Sequence, residues 1–459
     1  MENRLSPLDA AFWSLESPDA PMHIGALAHF DGAAEGGGPD LGAVAAVLAE
    51  RAQAIPRLRQ RVRTPWNPLE GPYWEEQPNF DAAAHIATHA EDADASADST
   101  DARVAALMAA PVPREAPPWE MHLLARGDSG FSLLLKVHHA AVDGLRALDV
   151  GVRLLDQFAG REKSAAAGKR RPDGQDRHAA PTGPLPLRAL RSIPVEAKRT
   201  LRAAEIAGDT LLSVAGSAPR SLLQPTALLH PSALLQPSLL RPEPATPELA
   251  LPSYPLDDLH RIRKAHGGTV NDVVLAVLAG ALRTVATRNA RVLVPVSQRA
   301  RLGAPGGGNR LSGYLLDLPV TEPDPRRRLE LVRAAMDAHK QRGPRRGAGA
   351  VALLADLLPA PGHRLTAPLL RPTAPLLFDA LVTNVPMPDF RFTLDGHTLT
   401  ALYPLPPLAR GQALAVAVSS YRGRLHVGLR GRLGATSPHP VADLHRAFDA
   451  SLTELLSTC

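Results

Sequence analysis

Alternating and 3.6-residue spacing of apolar positions divides the chain into two α/β blocks separated by a proline-broken segment. In the first block, Met22 to Phe30 reads as a strand, and Asp40 caps a helix that carries Leu41, Val44, Leu48 and Ala52 on one face. A second helical pattern runs from Asp101 to Ala110 and is stopped by Pro111 and Pro113. Two strands follow, Glu120 to Ala125 and Phe131 to Val137, and the turn residues Arg126 to Gly130 between them predict a hairpin. Leu145, Leu148, Val152 and Leu155 then return at helical spacing. The segment His138 to Gly144 is thereby placed between a strand end and a helix start, where a loop held at both ends can present polar side chains.

Between 161 and 250 the pattern gives way to Ala, Arg, Leu and Pro, with a helical patch from Val195 to Ala215 and a near-repeat opening at Pro225, Pro231 and Pro237. So much proline forbids a long helix or a central strand, so this stretch is expected to connect two domains, with its Leu pairs lying on a domain surface or a lipid. The second block again mixes helix (Thr269 to Thr287, Pro325 to Lys340, Val441 to Leu456) with strand. Its strands are expected at Arg291 to Ser297, Leu311 to Val320, Phe378 to Val385, Thr393 to Tyr403, Leu414 to Ser420 and Arg424 to Leu429, with a glycine-rich loop at Gly303 to Gly308. The expected organisation is a first domain at 1–160, a linker at 161–250 and a second domain at 251–459.

A length of 459 residues agrees with two cores, and 45% apolar residues supply them. Only 4% of residues are aromatic, which leaves few stacking platforms for bases. The net charge of +5 is a mild excess carried in local arginine runs. It suits anionic cofactor groups or an acidic membrane surface, and no nucleic-acid partner is expected because no binding motif accompanies it. The single cysteine, Cys459, builds neither a disulfide framework nor a thiolate metal site. The first residues lack the apolar core of a secretory signal, and the longest apolar run, Val273 to Leu282, is half a membrane span. A cytoplasmic location is expected, with peripheral contact at the inner membrane or lipid droplets.

The one arrangement that carries chemistry is His138-His139-Ala140-Ala141-Val142-Asp143-Gly144. The residue frequencies of the chain give about a few chance occurrences of HHxxxDG per thousand such sequences. Adjacent histidines at a strand end point in opposite directions, so they suit a division of labour better than a shared metal, and no metal site is expected. One imidazole faces the reaction space as a base for a hydroxyl proton, and the other packs inward. Asp143 has the charge to hold an arginine or orient the loop, and Gly144 permits close backbone approach. No serine occupies a GxSxG elbow, and no Lys-Ser/Thr follows Gly306 to Gly308, so direct transfer to an acceptor hydroxyl or amine without a covalent enzyme intermediate is favoured.

Around this motif the chain resembles the bacterial wax ester synthase/diacylglycerol acyltransferase family, within the chloramphenicol acetyltransferase-like HHxxxDG superfamily. The resemblance rests on Leu5-Ser6-Pro7-Leu8-Asp9-Ala10, Pro21-Met22-His23-Ile24-Gly25, Pro117-Pro118-Trp119-Glu120 and the run Gly268 to Ala276. It continues through Pro295-Val296-Ser297, Gly308-Asn309, Leu318-Pro319, Thr383-Asn384-Val385-Pro386, Tyr403-Pro404 and Ser420-Tyr421-Arg422-Gly423. Pro118 stands where the family has Leu, Met387 where it usually has Gly, and Gly431-Arg432 where Ala-Asp is usual; an LNGPI-like stretch before the second block is missing.

The resemblance implies two similar α/β domains with mixed sheets and an active site at their interface, reached by acyl-CoA from one side and a hydrophobic alcohol or diacylglycerol from the other. It implies His139 as the base, supported by His138, Asp143 and Gly144, with no cofactor beyond the acyl-CoA substrate. Asn271 and Asp272 are implied to support the site from the second block, and their place near a helix start equally suits a role in its first turn. Asn384 is either a turn former or part of an acyl channel. Two other readings stay open: a natural-product or condensation-type acyltransferase with a carrier-bound donor, and a lipid-binding protein without catalysis.

Overall fold

The computed structural model describes residues 4–32, 39–67, 70–90, 97–127, 130–142, 144–157, 247–297, 311–342, 378–385, 387–388, 390–433 and 440–459. Asp143, the linker up to residue 246 and the loop Gly303 to Gly308 lie outside them. In chain order the elements begin with helix α1 (Pro7–Leu15), strand β1 (His23–Asp31), α2 (Leu41–Gln53), β2 (Gln60–Arg63), β3 (Tyr73–Glu76) and β4 (Ile86–His89). Next come α3 (Ala97–Ala109), β5 (Trp119–Arg126), β6 (Gly130–His138), α4 (Gly144–Leu154) and β7 (Asp156–Gln157). The second half contains β8 (Glu248–Ala250), β9 (Ser253–Pro255), α5 (Leu256–His266), α6 (Val270–Leu282), β10 (Ala290–Ser297), β11 (Leu311–Leu318) and α7 (Pro325–Arg342). It closes with β12 (Ala380–Asn384), β13 (Phe392–Leu394), β14 (His397–Leu405), β15 (Leu414–Tyr421), β16 (Arg424–Gly431) and α8 (Pro440–Leu456).

Local chemistry sets the boundaries. Ser6 caps α1 by accepting from the Asp9 N–H at 3.2 Å, with Pro7 at the first helical position. Asp40 caps α2 through the N–H groups of Gly42 and Ala43. The expected single strand from Thr393 to Tyr403 is two strands instead. Asp395 (φ 48°) and Gly396 (φ 78°) adopt left-handed backbone and turn β13 back on β14, the two-residue hairpin that Asp-Gly favours.

Two mixed seven-stranded sheets result. The first has the order β4-β5-β6-β1-β14-β13-β7; the second runs β11-β10-β12-β15-β16-β8, with β9 also on β16. β5 and β6 form the expected antiparallel hairpin, as do β15 and β16. Sheet membership does not follow the expected division at residue 250. β13 and β14 leave the second half to join the first sheet, with β14 antiparallel to β1 from Gly25↔Leu405 to Asp31↔Thr398. β8, placed in the linker by sequence, is an edge strand of the second sheet, because its Leu249 and Ala250 find partners in Arg430 and Leu429.

Each sheet buries a large aliphatic core on one face, and a third, smaller cluster lies on the other face of the first sheet. In the first, Leu133, Leu135 and Val137 of β6 face Val44 and Leu48 of α2. In the second, α6 is buried on almost every side among the strands, α7 and α8. This explains the most apolar run in the sequence as a core helix. Among the described residues no single helix is long and apolar enough to cross a membrane; α5 and α6 meet that description only as a pair bent by 96°.

The sheets touch where β14 passes β15 and β16. Ser419 Oγ donates to the Leu402 carbonyl at 2.7 Å. At Gly428 the backbones come so close that a Cβ would overlap the Pro404 carbonyl oxygen. Backbone gives way less readily than a side-chain tip, so Gly428→Ala should cost about 1–3 kcal/mol by forcing the sheets apart. Thermal denaturation should show a melting temperature lowered by several degrees, and an unchanged value would show that the junction tolerates a methyl group.

Candidate active site

β6 presents two faces by strand alternation. Ser132, Leu134, Lys136 and His138 share the face towards α3 and the sheet junction, where Leu134 packs with Val104, Met108, Tyr403 and Leu405. At the end of the strand the backbone is held from both sides. The His138 N–H donates to the Pro118 carbonyl at 2.9 Å, and the His139 N–H donates to the Met22 carbonyl at 2.8 Å. Pro117-Pro118-Trp119 and Pro21-Met22-His23 thus acquire a physical purpose, since each supplies one carbonyl that fixes a histidine. Trp119 anchors its segment by donating from Nε1 to the Leu58 carbonyl at 2.7 Å.

His138 is fully buried. Its Nδ1 accepts from the Ala140 N–H at 3.0 Å, so the ring is neutral with its proton on Nε2, which lies 3.6 Å from Glu16 Oε1. Burial drives its pKa well below the ordinary value, and the charges of Arg114, His139 and His23 push the same way. His139 is only half-buried, and its ring stacks on Phe12 at 4.1 Å between centroids. The adjacent Trp13 meets the edge of His138 at 4.8 Å. One imidazole is locked inward and the other has partial access to solvent. Ala140, Ala141 and Val142 bury themselves in the first core, and α4 begins at Gly144.

Phe12, Trp13, Glu16 and Arg114 were not singled out from the sequence. The Glu16 carboxylate is buried, accepts from the Met22 N–H at 3.3 Å, and pairs with Arg114 Nη1 at 2.8 Å. Arg114 also lies over the Trp13 ring at 4.1 Å. A usable signal was present, because Ser6-Pro7 followed by Asp9 is a helix-start signature. It announces α1, although it does not reveal what α1 touches.

Behind this layer, the cations Arg430 and Lys136 and the neutral His23 converge on the carboxyl end of α3. The Met108 carbonyl accepts from His23 Nε2 at 2.9 Å and from Arg430 Nη2 at 2.7 Å, while Ala110 accepts from Lys136 Nζ at 3.0 Å. Lys136 pairs with Glu120 at 2.9 Å. Burial pushes the Glu120 carboxyl up, but hydrogen bonds from His122 and Lys136 outweigh it and bring it down to about 2. Burial, then Lys136 and Arg430, lowers His23 to about 3. His23 is the β1 partner of His138, and Arg430 belongs to β16, so this cluster joins the histidine platform to the second sheet.

The second-half candidates have distinct places. Asp272 is buried in a capping box at the start of α6, where Oδ2 accepts from the Thr269 N–H at 2.8 Å and the Thr269 side chain accepts from the Asp272 N–H. Its other oxygen, Oδ1, has no hydrogen-bond partner among the described residues, and Asn271 beside it is half-buried. Asn384 is exposed at the end of β12. Three residues later Met387 packs against the first core, so this segment crosses between the two halves. Among the described residues no group of three or more His, Cys, Asp or Glu is arranged to hold a metal.

Two consequences are measurable. Arg114→Met strands the Glu16 carboxylate, so it should cost about 1–3 kcal/mol in chemical denaturation, and the double variant E16Q/R114M should recover part of that loss. The second concerns pH. His23 (about 3), His29 and His426 (both about 4) and His138 are held neutral chiefly by burial, whereas an unfolded histidine titrates near 6.5. As pH falls through 6.5 the unfolded chain takes up protons first, so their contribution is complete above 6.5 and is lost towards the folded values. The melting temperature should therefore drop between pH 6.5 and 5, above the range in which ordinary carboxylates titrate. A flat profile there would contradict the assignment.

Comparison with known proteins identifies the family of the chain. The wax ester synthase/diacylglycerol acyltransferase catalytic domain matches residues 5–274, and the C-terminal domain of the same family matches residues 307–455. A probable diacylglycerol O-acyltransferase of Mycobacterium tuberculosis is 29% identical over 93% of this chain and 90% of its own length. Among solved structures, the wax ester synthase/diacylglycerol acyltransferase from Marinobacter aquaeolei VT8 superposes with a TM-score of 0.66 at 24% identity, over 98% of each chain. The first condensation domain of the CDA synthetase shares the fold, with a TM-score of 0.59 at 19% identity over 100% of this chain and 96% of its own. Two family domains that together span most of the sequence, on a fold common to both structures, show that the chain belongs to the wax ester synthase/diacylglycerol acyltransferase family of O-acyltransferases.

Proposed function

We propose that the protein transfers a fatty acyl group from acyl-CoA to the hydroxyl of diacylglycerol or a long-chain alcohol, releasing triacylglycerol or wax ester and free CoA, with His139 as the general base. The observation that carries this reading is the unequal treatment of the two imidazoles. His138 is buried and committed to the loop, while His139 is half-buried, backed by Phe12 and fixed through its backbone N–H.

His139 removes the proton from the acceptor hydroxyl as its oxygen attacks the thioester carbonyl. The resulting tetrahedral oxyanion collapses, the C–S bond breaks, and the imidazolium returns the proton to the CoA thiolate. No covalent enzyme intermediate forms, and the thioester supplies the activated acyl group, so the reaction calls for no further cofactor. Asp143 and Gly144 set the loop in this scheme, with His138 as its buried brace. Asn271, Asp272 and Asn384 complete the site from the second half; the spare Oδ1 of Asp272 supports an acceptor role there. Because both substrates carry long apolar chains, the protein works peripherally at the inner membrane or a lipid droplet.

Thiol release from a panel of acyl-CoAs with fatty alcohols, diacylglycerol and short polar alcohols tests this reading. Turnover is expected with the long-chain acceptors, and His139→Ala should lower it by about a hundred- to ten-thousand-fold while the circular dichroism melt stays that of the parent. Turnover confined to short polar acceptors would sink the storage-lipid reading.

A further inference from the structure

β2 and β3 form a separate two-stranded sheet beside the first core. Its inner residues Val62 and Trp74 are buried, whereas Trp66 at its tip is 92% exposed, with Tyr73 exposed beside the same turn. The Glu70 N–H donates to the Asn67 carbonyl at 3.1 Å, and Pro65 and Pro72 stiffen the chain on either side. A large indole held out in water loses the hydrophobic stabilisation that burial would give it, and among the described residues nothing covers it.

The hairpin is tied directly to the histidine platform. Arg4 bridges Tyr73, and the Leu5 N–H donates to the Pro72 carbonyl at 3.0 Å, immediately before Ser6 caps α1. About 10 Å further along that path, at 1.5 Å per helical residue, Phe12 and Trp13 meet His139 and His138. Whatever seats Trp66 is therefore held beside the helix that walls the site.

We infer that Trp66 inserts into a lipid surface and that the β2–β3 tip is the point at which the protein docks on the membrane or droplet holding its acceptor. This rests on the acyl-transfer reading above and locates the lipid contact which that reading requires. One exposed indole and a neighbouring phenol ring present far less than the about 800 Å² per partner of a stable protein interface, whereas a lipid surface accepts a single interfacial tryptophan without shape complementarity. Charge is not the driving force. The arginines of β2 and the one just before it are paired across the hairpin, Arg59 with Glu76 at 3.0 Å, and Arg61 and Arg63 with Glu75 at 2.8 and 3.1 Å. Binding to zwitterionic lipid that survives high salt is the expected signature.

The protein carries its own probe. Of its four tryptophans, Trp13, Trp74 and Trp119 are buried, so a change in emission on adding vesicles reports Trp66. With the full chain and phosphatidylcholine vesicles, the emission should shift to the blue, brominated lipid should quench it, and vesicle flotation should carry the protein in low and high salt. Trp66→Ala should weaken flotation about tenfold, and Trp66→Phe should retain part of it. Trp66→Ala should also lose turnover of vesicle-borne diacylglycerol while keeping thiol release with a micelle-dissolved alcohol. Unshifted emission, or equal flotation of parent and Trp66→Ala, would overturn the inference, as would a dimer in sedimentation that Trp66→Ala dissolves. If no acceptor is turned over at all, the acyl-transfer reading fails, and flotation still decides the fate of the tip.

Discussion

The insertion of β14 between β1 and β13 is the constraint on which the arrangement of the site depends. β1 supplies the Met22 carbonyl at its entry and His23 in its register, both of which fix the end of β6. One edge of β1 pairs with β6 and the other with a strand from the far end of the chain. Without residues 397–405, β1 would expose a row of unpaired backbone groups, and the histidine platform would sit one strand from a bare edge. The first half of the sequence contains the two histidines but not all of the sheet that positions them.

The same crossing brings the second sheet against the first. Gly428 lets β16 approach the Pro404 carbonyl, and two residues on Arg430 reaches the end of α3 beside His23. Burying arginine, lysine and histidine together is costly unless each is paired. Here the carboxyl end of a helix, with its unpaired carbonyls and negative dipole, meets that requirement with Glu120 as the nearby anion. Histidines elsewhere in this layer remain neutral because burial excludes the charged form. This cluster of buried basic side chains thereby becomes a rigid floor for His138, and His139 alone of the pair keeps access to solvent.

α1 performs a parallel service from the opposite direction. Its Phe12 and Trp13 are consecutive residues that touch consecutive histidines, and Glu16 just beyond its end faces the Nε2 proton of His138. A short helix, capped locally by Ser6, thus converts a sequence motif at the start of the chain into a wall of the site. The exposed hairpin tip attached to the same helix links this wall to the surface.

What the sequence by itself determined was local. The helix caps at Asp40 and Thr269, the hairpins β5–β6 and β15–β16, the aliphatic run of α6 and the placement of His138 and His139 between strand and helix are all set by neighbours along the chain. The expected single strand over Thr393 to Tyr403 shows the limit even there, since alternation persisted through Asp395-Gly396 while the backbone reversed. Only the tertiary structure decided that β14 belongs to the first sheet, that β8 leaves the linker for the second, and that Asp272 spends one oxygen on capping α6. Glu16, Arg114, His23 and Arg430 became visible as supports of the site for the same reason. Their partners lie up to hundreds of residues away, and spacing along a chain carries no record of which side chains burial will force together.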